Sequence, residues 1–566
     1  MNEWYVADFE TTGNNFYIDN GYTKVWLYAI SDSNANIVNY GYCIEEFFKW
    51  LHDNPNNLIY FHNLKFDGSF ILNYLLNNNY EYKPDLKLRD KKGFTTLIGE
   101  EGQYYSIKIN FSSTKQIVIY DSLKLIPLKV SKIAEAFNLP IKKGEIDYDK
   151  YEINDEVLDY VFNDVKIVAY AIKYFKEKNY NKISIGSCSY NDFKSTIKNF
   201  STLFPKLDRD WINEYRKAYR GGRSQVNPKY ANVILNNVKR YDINSMYPYV
   251  ISRFPMPYGE PILQDDINLH EFEIYKVHID FTLKAGHLPT LLKNQAMYNS
   301  KGDTYYISTD SIEEIYITNI DYQILLKHYD IHYIKFEKIY GFNTSKYIFR
   351  KWVDNYYSLK SQYEGGLKLL YKLILNNLYG KFGSKDKGKK RIPKLTTDDT
   401  LILELGKEEE LPVYYLPVAM AVTSFSHLLI DNAIIETGVE NFVYCDTDSV
   451  HTLSDLPNEL IDNKELGKFK LEGVEIISKY VRQKCYCYKE YNKKKQDYEY
   501  IITCAGMTDG IKNYLIRMYK DDVFNVFKVG LCVDINSEDI KQNELKLRPK
   551  QVIGGTILVP TKFSLQ

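Results

Sequence analysis

The spacing of apolar and polar positions changes several times along the chain, and each change marks an element. WYVADFE (4–10) and NLIYFHN (57–63) are short apolar runs that end in polar or acidic residues, as buried strands do. DEVLDYVFNDVKIVAYAIKYF (155–175) carries apolar residues at helical spacing and predicts a helix. Residues 1–180 therefore read as an α/β domain with acids at its strand ends. Residues 181–235 form a connection that holds YRGGR (219–223), and a second α/β region opens at VKRYDINSMYP (238–248). Residues 255–350 alternate short strand patterns with turns. The pattern over 351–383 predicts one long helix. The polar, basic SKDKGKKRIPK (384–394) predicts an exposed hairpin or loop, and 414–436 an apolar helix. NFVYCDTDSVH (441–451) predicts a hairpin with acids at its tip, and 467–566 mixes strands with basic segments.

Composition narrows the class without deciding it. At 566 residues, 45% hydrophobic and 26% charged, the chain suits several packed domains of ordinary make-up. The net charge is zero, so bulk charge lends no support to nucleic-acid binding. Acids clustered at metal sites can nevertheless cancel a basic groove elsewhere. The seven cysteines are scattered, and Cys485 and Cys487 have no second pair, so reduced thiols in a cytosolic protein are expected rather than zinc. The start, MNEWYVADFE, has neither the basic residues nor the apolar run of a signal peptide. Thr423, Ser424, Ser426 and His427 interrupt the most apolar stretch, which suits a buried helix better than a membrane span. The 53 tyrosines match a bias that also enriches Asn, Lys and Ile, so only those inside motifs carry weight.

Acids in a repeated arrangement carry the chemistry. Asp8 and Glu10 lie two apart on a strand, so both point to one face. Asp67 sits in YFHNLKFDG. Tyr160 and Asp164 lie four apart on one helix face, with Tyr160 placed to orient a water. A lone D-x-E is most often a solvated turn, and a lone Asp164 a surface residue. As an ordered set within one domain, the four acids would repel each other unless cations neutralised them. Carboxylate oxygens suit Mg²⁺ or Mn²⁺, and two ions roughly 3.5–4 Å apart can activate water and stabilise a leaving oxygen. Asp242 follows a second strand, and Asp446 and Asp448 form the DTD tip. Asp242 with Asp448 could hold two metals, with Asp446 beside them. The glycine and terminal Glu of a calcium loop are missing. On a single helix Lys360, Lys368 and Lys372 would share a face and could clamp a triphosphate, although lysine faces are usually just solvated.

Taken together, these motifs resemble those of family B DNA polymerases. DFETTG, YFHNLKFDG and YVFND are similar to the three exonuclease motifs, and DINSMYP, KLILNNLYGKFG and YCDTDSVH to polymerase motifs A, B and C. YRGG, KCY (484–486), CAGMTD (504–509) and QVIGG resemble the protein-primed branch of phage phi twenty-nine type. The resemblance implies a ribonuclease-H-like exonuclease domain joined to a right-hand polymerase with palm, fingers and thumb and two family-specific insertions. The implied boundaries are 1–180 for the exonuclease, 181–254 for the linker and start of the palm, and 255–350 for the first insertion and palm. Fingers (351–383), second insertion (384–410), palm (411–466) and palm end with thumb (467–566) follow.

By match to motif, Asp8, Glu10, Asp67 and Asp164 would bind exonuclease metals, with Tyr160 and Lys143 assisting. Glu145 stands in a metal-binding element where the family's usual residue is Asp. His62, Asn63, Phe66, Ser122 and Leu123 would hold a frayed primer end. Asp242, the Ile243 carbonyl, Asp446 and Asp448 would form the polymerase metal site. Tyr247 would exclude a 2′-hydroxyl, Lys360 and Lys372 would contact the triphosphate, and Tyr379 the nascent pair. Tyr219, Gly221, Gly222, Asn376, Gly380, Lys484 and Tyr486 would contact DNA. His427 stands where the family often has an arginine that meets DNA. The resemblance further implies two Mg²⁺ per site, replaceable by Mn²⁺, with primer-template DNA, single-stranded DNA and dNTPs as substrates. It also implies a terminal protein as primer, a monomer, no membrane, and action in the host cytoplasm. A nuclease with a degenerate second half and a non-catalytic scaffold are the competing readings. Intact Asp242, Lys372, Asp446 and Asp448 argue against both, because unpaired buried acids are costly to keep.

Overall fold

The computed structural model describes residues 3–144, 147, 150–293, 304–534, 539–541 and 544–565. Strand Trp4–Thr11 lies at the middle of an eight-stranded sheet, parallel to Leu58–Phe61, which is in turn parallel to Gln116–Asp121. Their carboxyl ends point the same way, and in such sheets that edge is where ligands bind. Helix Asp155–Glu177 packs across this sheet. Its start follows from local chemistry: Asn154 caps it by accepting from the Val157 N–H at 2.9 Å, and Asp155 and Glu156 face the positive end of its dipole.

An antiparallel seven-stranded sheet forms the second centre, with Ile234–Ile243 between Phe469–Arg482 and Ser449–Thr452. A four-stranded sheet, built from strands between Met256 and Ser345, stands beside it. The expected hairpin after the fingers is present as Lys387–Leu395 and Leu401–Glu410. It is anchored on the first domain rather than free: Leu401 is buried in that domain's core, and Arg391 donates to the Glu100 carbonyl at 2.8 Å. The tail hairpin Lys546–Val552 and Gly555–Thr561 returns to the same domain, where Thr556 donates to Ser69 at 2.8 Å. Helix Leu416–Thr437 is long and apolar enough by composition to cross a membrane, and it runs through the protein core. All seven cysteines are free thiols.

One expectation is overturned. Residues 351–383 are two helices, Arg350–Gln362 and Gly365–Phe382, folded against each other. Tyr363 is extended and Gly365 has φ of +59°, a left-handed conformation that helix propagation does not allow. Lys360 and Lys372 therefore meet across a helical hairpin and not along one face. A side chain at Gly365 would also bring its Cβ within 3.0 Å of the Ala136 carbonyl oxygen. Gly365→Ala is expected to cost about 1–2 kcal/mol, read from the urea midpoint at unchanged slope.

Candidate active sites

In the first domain the acids converge on a cleft of about 130 Å³ at the sheet's carboxyl edge. Asp8 and Glu10 line it, while Phe9 between them turns the other way and packs on Phe47 and Phe61. Strand alternation thus sorts acids from aromatics. Tyr160 and Asp164 line the cleft from the helix, as does Lys143. Asp67 sits in the first turn of helix Leu64–Asn77 and is only 4% exposed.

Burial pushes Asp8 up to about 7, with Asp164 adding to the shift and Lys143 opposing it. Burial and then Asp8 raise Glu10 and Asp67 well above the usual carboxylate range. Asp164 is raised by burial and restrained by Lys143, whose Nζ lies 2.5 Å from its Oδ2 and 5.1 Å over the Tyr160 ring. The fold itself thus supplies these acids with one cationic partner. The lysine relieves one of them, and Asp164 Oδ1 is buried with no hydrogen-bond partner among the described residues. That oxygen, with the carboxylate-only donors around it, fits a hard divalent ion. Glu145 lies outside the described residues.

The residues expected to hold a primer end gather beside this cleft, around an acid that the sequence reading missed. Asp121 ends its strand buried, and its Oδ1 accepts from the Asn63 and Leu123 N–H groups, both at 3.0 Å. His62 Nε2 lies 2.7 Å from the Leu128 carbonyl oxygen and its Nδ1 2.9 Å from Ser122 Oγ, whose hydroxyl donates to the Phe61 carbonyl, and burial lowers the imidazole's pKa. Its ring is thus committed inside the protein. Asn63 is exposed and Phe66 half-buried. Asp121 was legible in principle as an acid closing an apolar strand.

The second site lies on the seven-stranded sheet. Asp242 pairs with Ser449, and the Ile243 N–H donates to the Asp448 carbonyl at 2.8 Å. Asp242 is pushed up to about 7 by burial and then by Asp448, with Lys470 and Lys372 opposing. Backbone pairing thus brings Asp242 beside the turn that carries Asp448. Asp448 is also raised, first by burial and then by Asp446. Thr447 sits between them at φ of +61°, and Lys484 Nζ lies 3.4 Å from Asp446. Tyr486 is stacked on Tyr480 behind this strand pair.

Lys372, Asn376 and Gly380 share one exposed helix face, and nothing lies within 4 Å of where a Gly380 side chain would begin. Lys360 Nζ donates to Ser245 Oγ at 3.0 Å. Burial, then Lys372 and Lys368, lower Lys360 to about 8, so three lysines do converge. The Tyr247 ring lies 4.1 Å from that of Tyr379. Gly222 is pressed against both Tyr247 and the acidic turn: a Cβ there would stand 2.9 Å from Thr447 Oγ1 and 3.1 Å from the Tyr247 hydroxyl. Tyr219 packs against Gly383. His427 is turned inward, onto Asp321 and the Gly221 carbonyl.

Asp8 gives the first site a defined pH dependence. Its folded value of about 7 exceeds the unfolded value of 3.8, so ionisation between these pH values opposes folding. In chelator, Asp8→Asn should match the parent's melting temperature below pH 4 and exceed it at pH 8. A calorimetric difference that does not change with pH would contradict this.

The family described as DNA polymerase type B, organellar and viral, matches residues 51–151 and 147–466. The chain is 32% identical to the DNA polymerases of Bacillus phages Nf and phi29, over 99% of this chain and 99% of each. Identity to the DNA polymerase of Streptococcus phage Cp-1 is 31%, over 100% and 99%. The solved phi29 DNA polymerase with primer-template DNA and incoming nucleotide superimposes at a TM-score of 0.89, covering 100% of both chains at 30% identity. Full-length likeness in sequence and in fold places this chain in the type B DNA polymerases of organelles and viruses, and among them with the phi29 type.

Proposed function

We propose that the chain extends a DNA primer on a template and removes mispaired ends with its own 3′→5′ exonuclease. The observation that carries this reading is the pair of separate carboxylate nests, each buried, self-repelling and flanked by lysine. Asp8, Glu10, Asp67 and Asp164 would hold two Mg²⁺ or Mn²⁺ at the first nest. Asp242, Asp448, the Ile243 carbonyl and Asp446 would hold two at the second. Bound divalent ions would supply Lewis-acid stabilisation of the negative charge that develops on a phosphate.

The chain's own groups would do the rest. Lys360 and Lys372 would hold the triphosphate tail, and Tyr379 would cover the new base pair. Tyr247, wedged between Tyr379 and Gly222, would leave no room for a 2′-hydroxyl. Tyr160 and Lys143 would orient the water that attacks a frayed terminus held by Asn63, Phe66, Ser122 and Leu123. Tyr219, Gly221, Gly222, Asn376, Gly380, Lys484 and Tyr486 would line the duplex. The domain boundaries given above are part of this reading. So are priming by a terminal protein, action as a monomer in the host cytoplasm, and strand-displacing replication of a linear genome. The likeness to phage polymerases supports these, as does an insertion hairpin fixed to the exonuclease domain.

Asp448→Ala should lower dNTP incorporation on a primed template on the order of a thousandfold, and keep degradation of a single-stranded oligonucleotide. Asp8→Ala with Glu10→Ala should do the reverse, and loss of both activities in either variant would defeat the two-site assignment. Tyr247→Val should admit ribonucleotides, measured as the ratio of kcat/KM for dNTP to that for rNTP. An unchanged ratio would remove Tyr247 from that role.

A further inference from the structure

The turn that carries Lys484 joins strands Phe469–Arg482 and Cys485–Asn492, and Lys484 sits in it at φ of +54°. Its N–H donates to the Tyr444 hydroxyl at 3.1 Å, and its Nζ lies 3.4 Å from Asp446. Cys485 is the first residue after the turn. It pairs in register with Cys504, the last residue of the neighbouring strand Asp497–Cys504. The Ala505 N–H donates to the Lys484 carbonyl at 3.0 Å, so these two form a hydrogen-bonded pair. The next pair, Cys485 with Cys504, is then a non-hydrogen-bonded one, the kind in which opposite Cα atoms stand about 4.5 Å apart. A disulfide spans that separation, and both side chains leave the same face of the sheet.

The two sulfur atoms lie 3.6 Å apart, with the Cys485 thiol donating to Cys504. Accepting that bond lowers the Cys504 thiol below its usual pKa, and Arg482, Lys512 and Lys546 lower it further, against burial. The same bond, and then burial, raise Cys485. The pair is thus asymmetric: Cys504 forms the thiolate and Cys485 supplies the proton. Cys504 is 6% exposed and adjoins the exposed Ala505 and Gly506, where a small oxidant can enter. Cys487, two residues on, stands opposite Ile502 and has no thiol across from it. Buried cysteines commonly act as small apolar fillers, and these share a core with Ile502, Ile511 and Leu515. Matched register and three cations around one thiol serve no purpose in filling. Both serve a sensor thiol set beside a resolving one.

We propose that Cys485 and Cys504 form a reversible disulfide that acts as a redox switch on the primer-strand contacts of the neighbouring turn. The oxidant class is a hydroperoxide. The Cys504 thiolate attacks a peroxide oxygen and becomes a sulfenic acid, and the departing hydroxide takes up the proton that Cys504 had released. The Cys485 sulfur then attacks the sulfenic sulfur and displaces hydroxide, which takes the Cys485 proton. Two thiols and one hydrogen peroxide thus give one disulfide and two waters. A dithiol reverses the bond by exchange and is itself oxidised to a disulfide. Bond formation draws the sulfurs together from 3.6 Å, and the tight turn passes the movement to Lys484. The effect on the primer rests on the reading above, in which Lys484 and Tyr486 contact that strand.

The test treats the full chain with hydrogen peroxide, blocks free thiols with iodoacetamide after unfolding, and maps the peptides by mass. A link between Cys485 and Cys504 is expected in the parent and absent from Cys485→Ser and Cys504→Ser. Oxidation should raise the parent's KM for a primed template roughly tenfold, the loss of one charged contact. Hydrolysis of a free single-stranded oligonucleotide should keep its rate, and dithiothreitol should restore the KM. Both serine variants should keep the reduced parent's KM before and after peroxide, and either carries the comparison should the other fail to fold. No link, a link through Cys487, a link that leaves KM unchanged, or an equal rise in a serine variant would overturn the proposal. A reduced parent that extends no primer would instead defeat the polymerase reading, and the peptide map alone would then decide the disulfide.

Discussion

Ionised carboxylates a few ångströms apart repel, and the repulsion grows as water is excluded. Here the fold forces Asp8, Glu10 and Asp164 into one cleft with Asp67 buried beside Asp8, and brings Asp242 close to Asp448 on the second sheet, with each group shifted toward its protonated form. Left alone, such nests weaken the native state near neutral pH. Divalent cations bound there would turn the same crowding into affinity, because a ligand that binds only the folded form stabilises it. The two sites reach this condition by different routes. The first uses the carboxyl ends of parallel strands with a helix laid across them, and the second uses a tight hairpin beside a longer strand. In both, a lysine relieves part of the charge: Lys143 at Asp164, and Lys372 near Asp242.

The polarity of the chain made some of this readable and hid the rest. Asp8 and Glu10 were legible because strand alternation is strict, and Phe9 confirms it by facing the other way. Asp164 with Tyr160 was legible from helix spacing. The same spacing argument misled over Lys360 and Lys372, because it assumed one continuous helix through Glu364-Gly365-Gly366. The glycines carried the warning, and the lysines still meet, through tertiary folding that no local period encodes. Asp121 was overlooked because its role depends on backbone N–H groups of Asn63 and Leu123, one from a distant segment. The pairings of Asp321 with His427 and of Arg223 with Asp431 link positions 106 and 208 apart, beyond any spacing rule.

Helix Leu416–Thr437 shows why composition alone is a poor guide to environment. It is apolar on nearly every face, as a helix surrounded by protein must be. Its few polar residues are the ones that make specific contacts. Ser424 and His427 reach Asp321 in the neighbouring insertion, and Asp431 reaches the glycine loop. The helix is therefore a spine that ties the insertion and the loop to one rigid element. Lys368 and Lys372 on the adjoining helical hairpin follow the opposite logic, with their charges left in solvent.

The tail hairpin has a consequence in time rather than in space. Gly555 lies against the Phe70 ring, and Thr556 reaches Ser69, which precedes it by 487 residues. At roughly 5–20 residues per second, the ribosome delivers that cover on the order of half a minute or more after Phe70 has emerged. The first domain must hold its shape through that interval with part of one helix bare. Its core, centred on Phe47, Phe61 and Leu64, is built without the tail hairpin, although Leu401 of the earlier hairpin joins it.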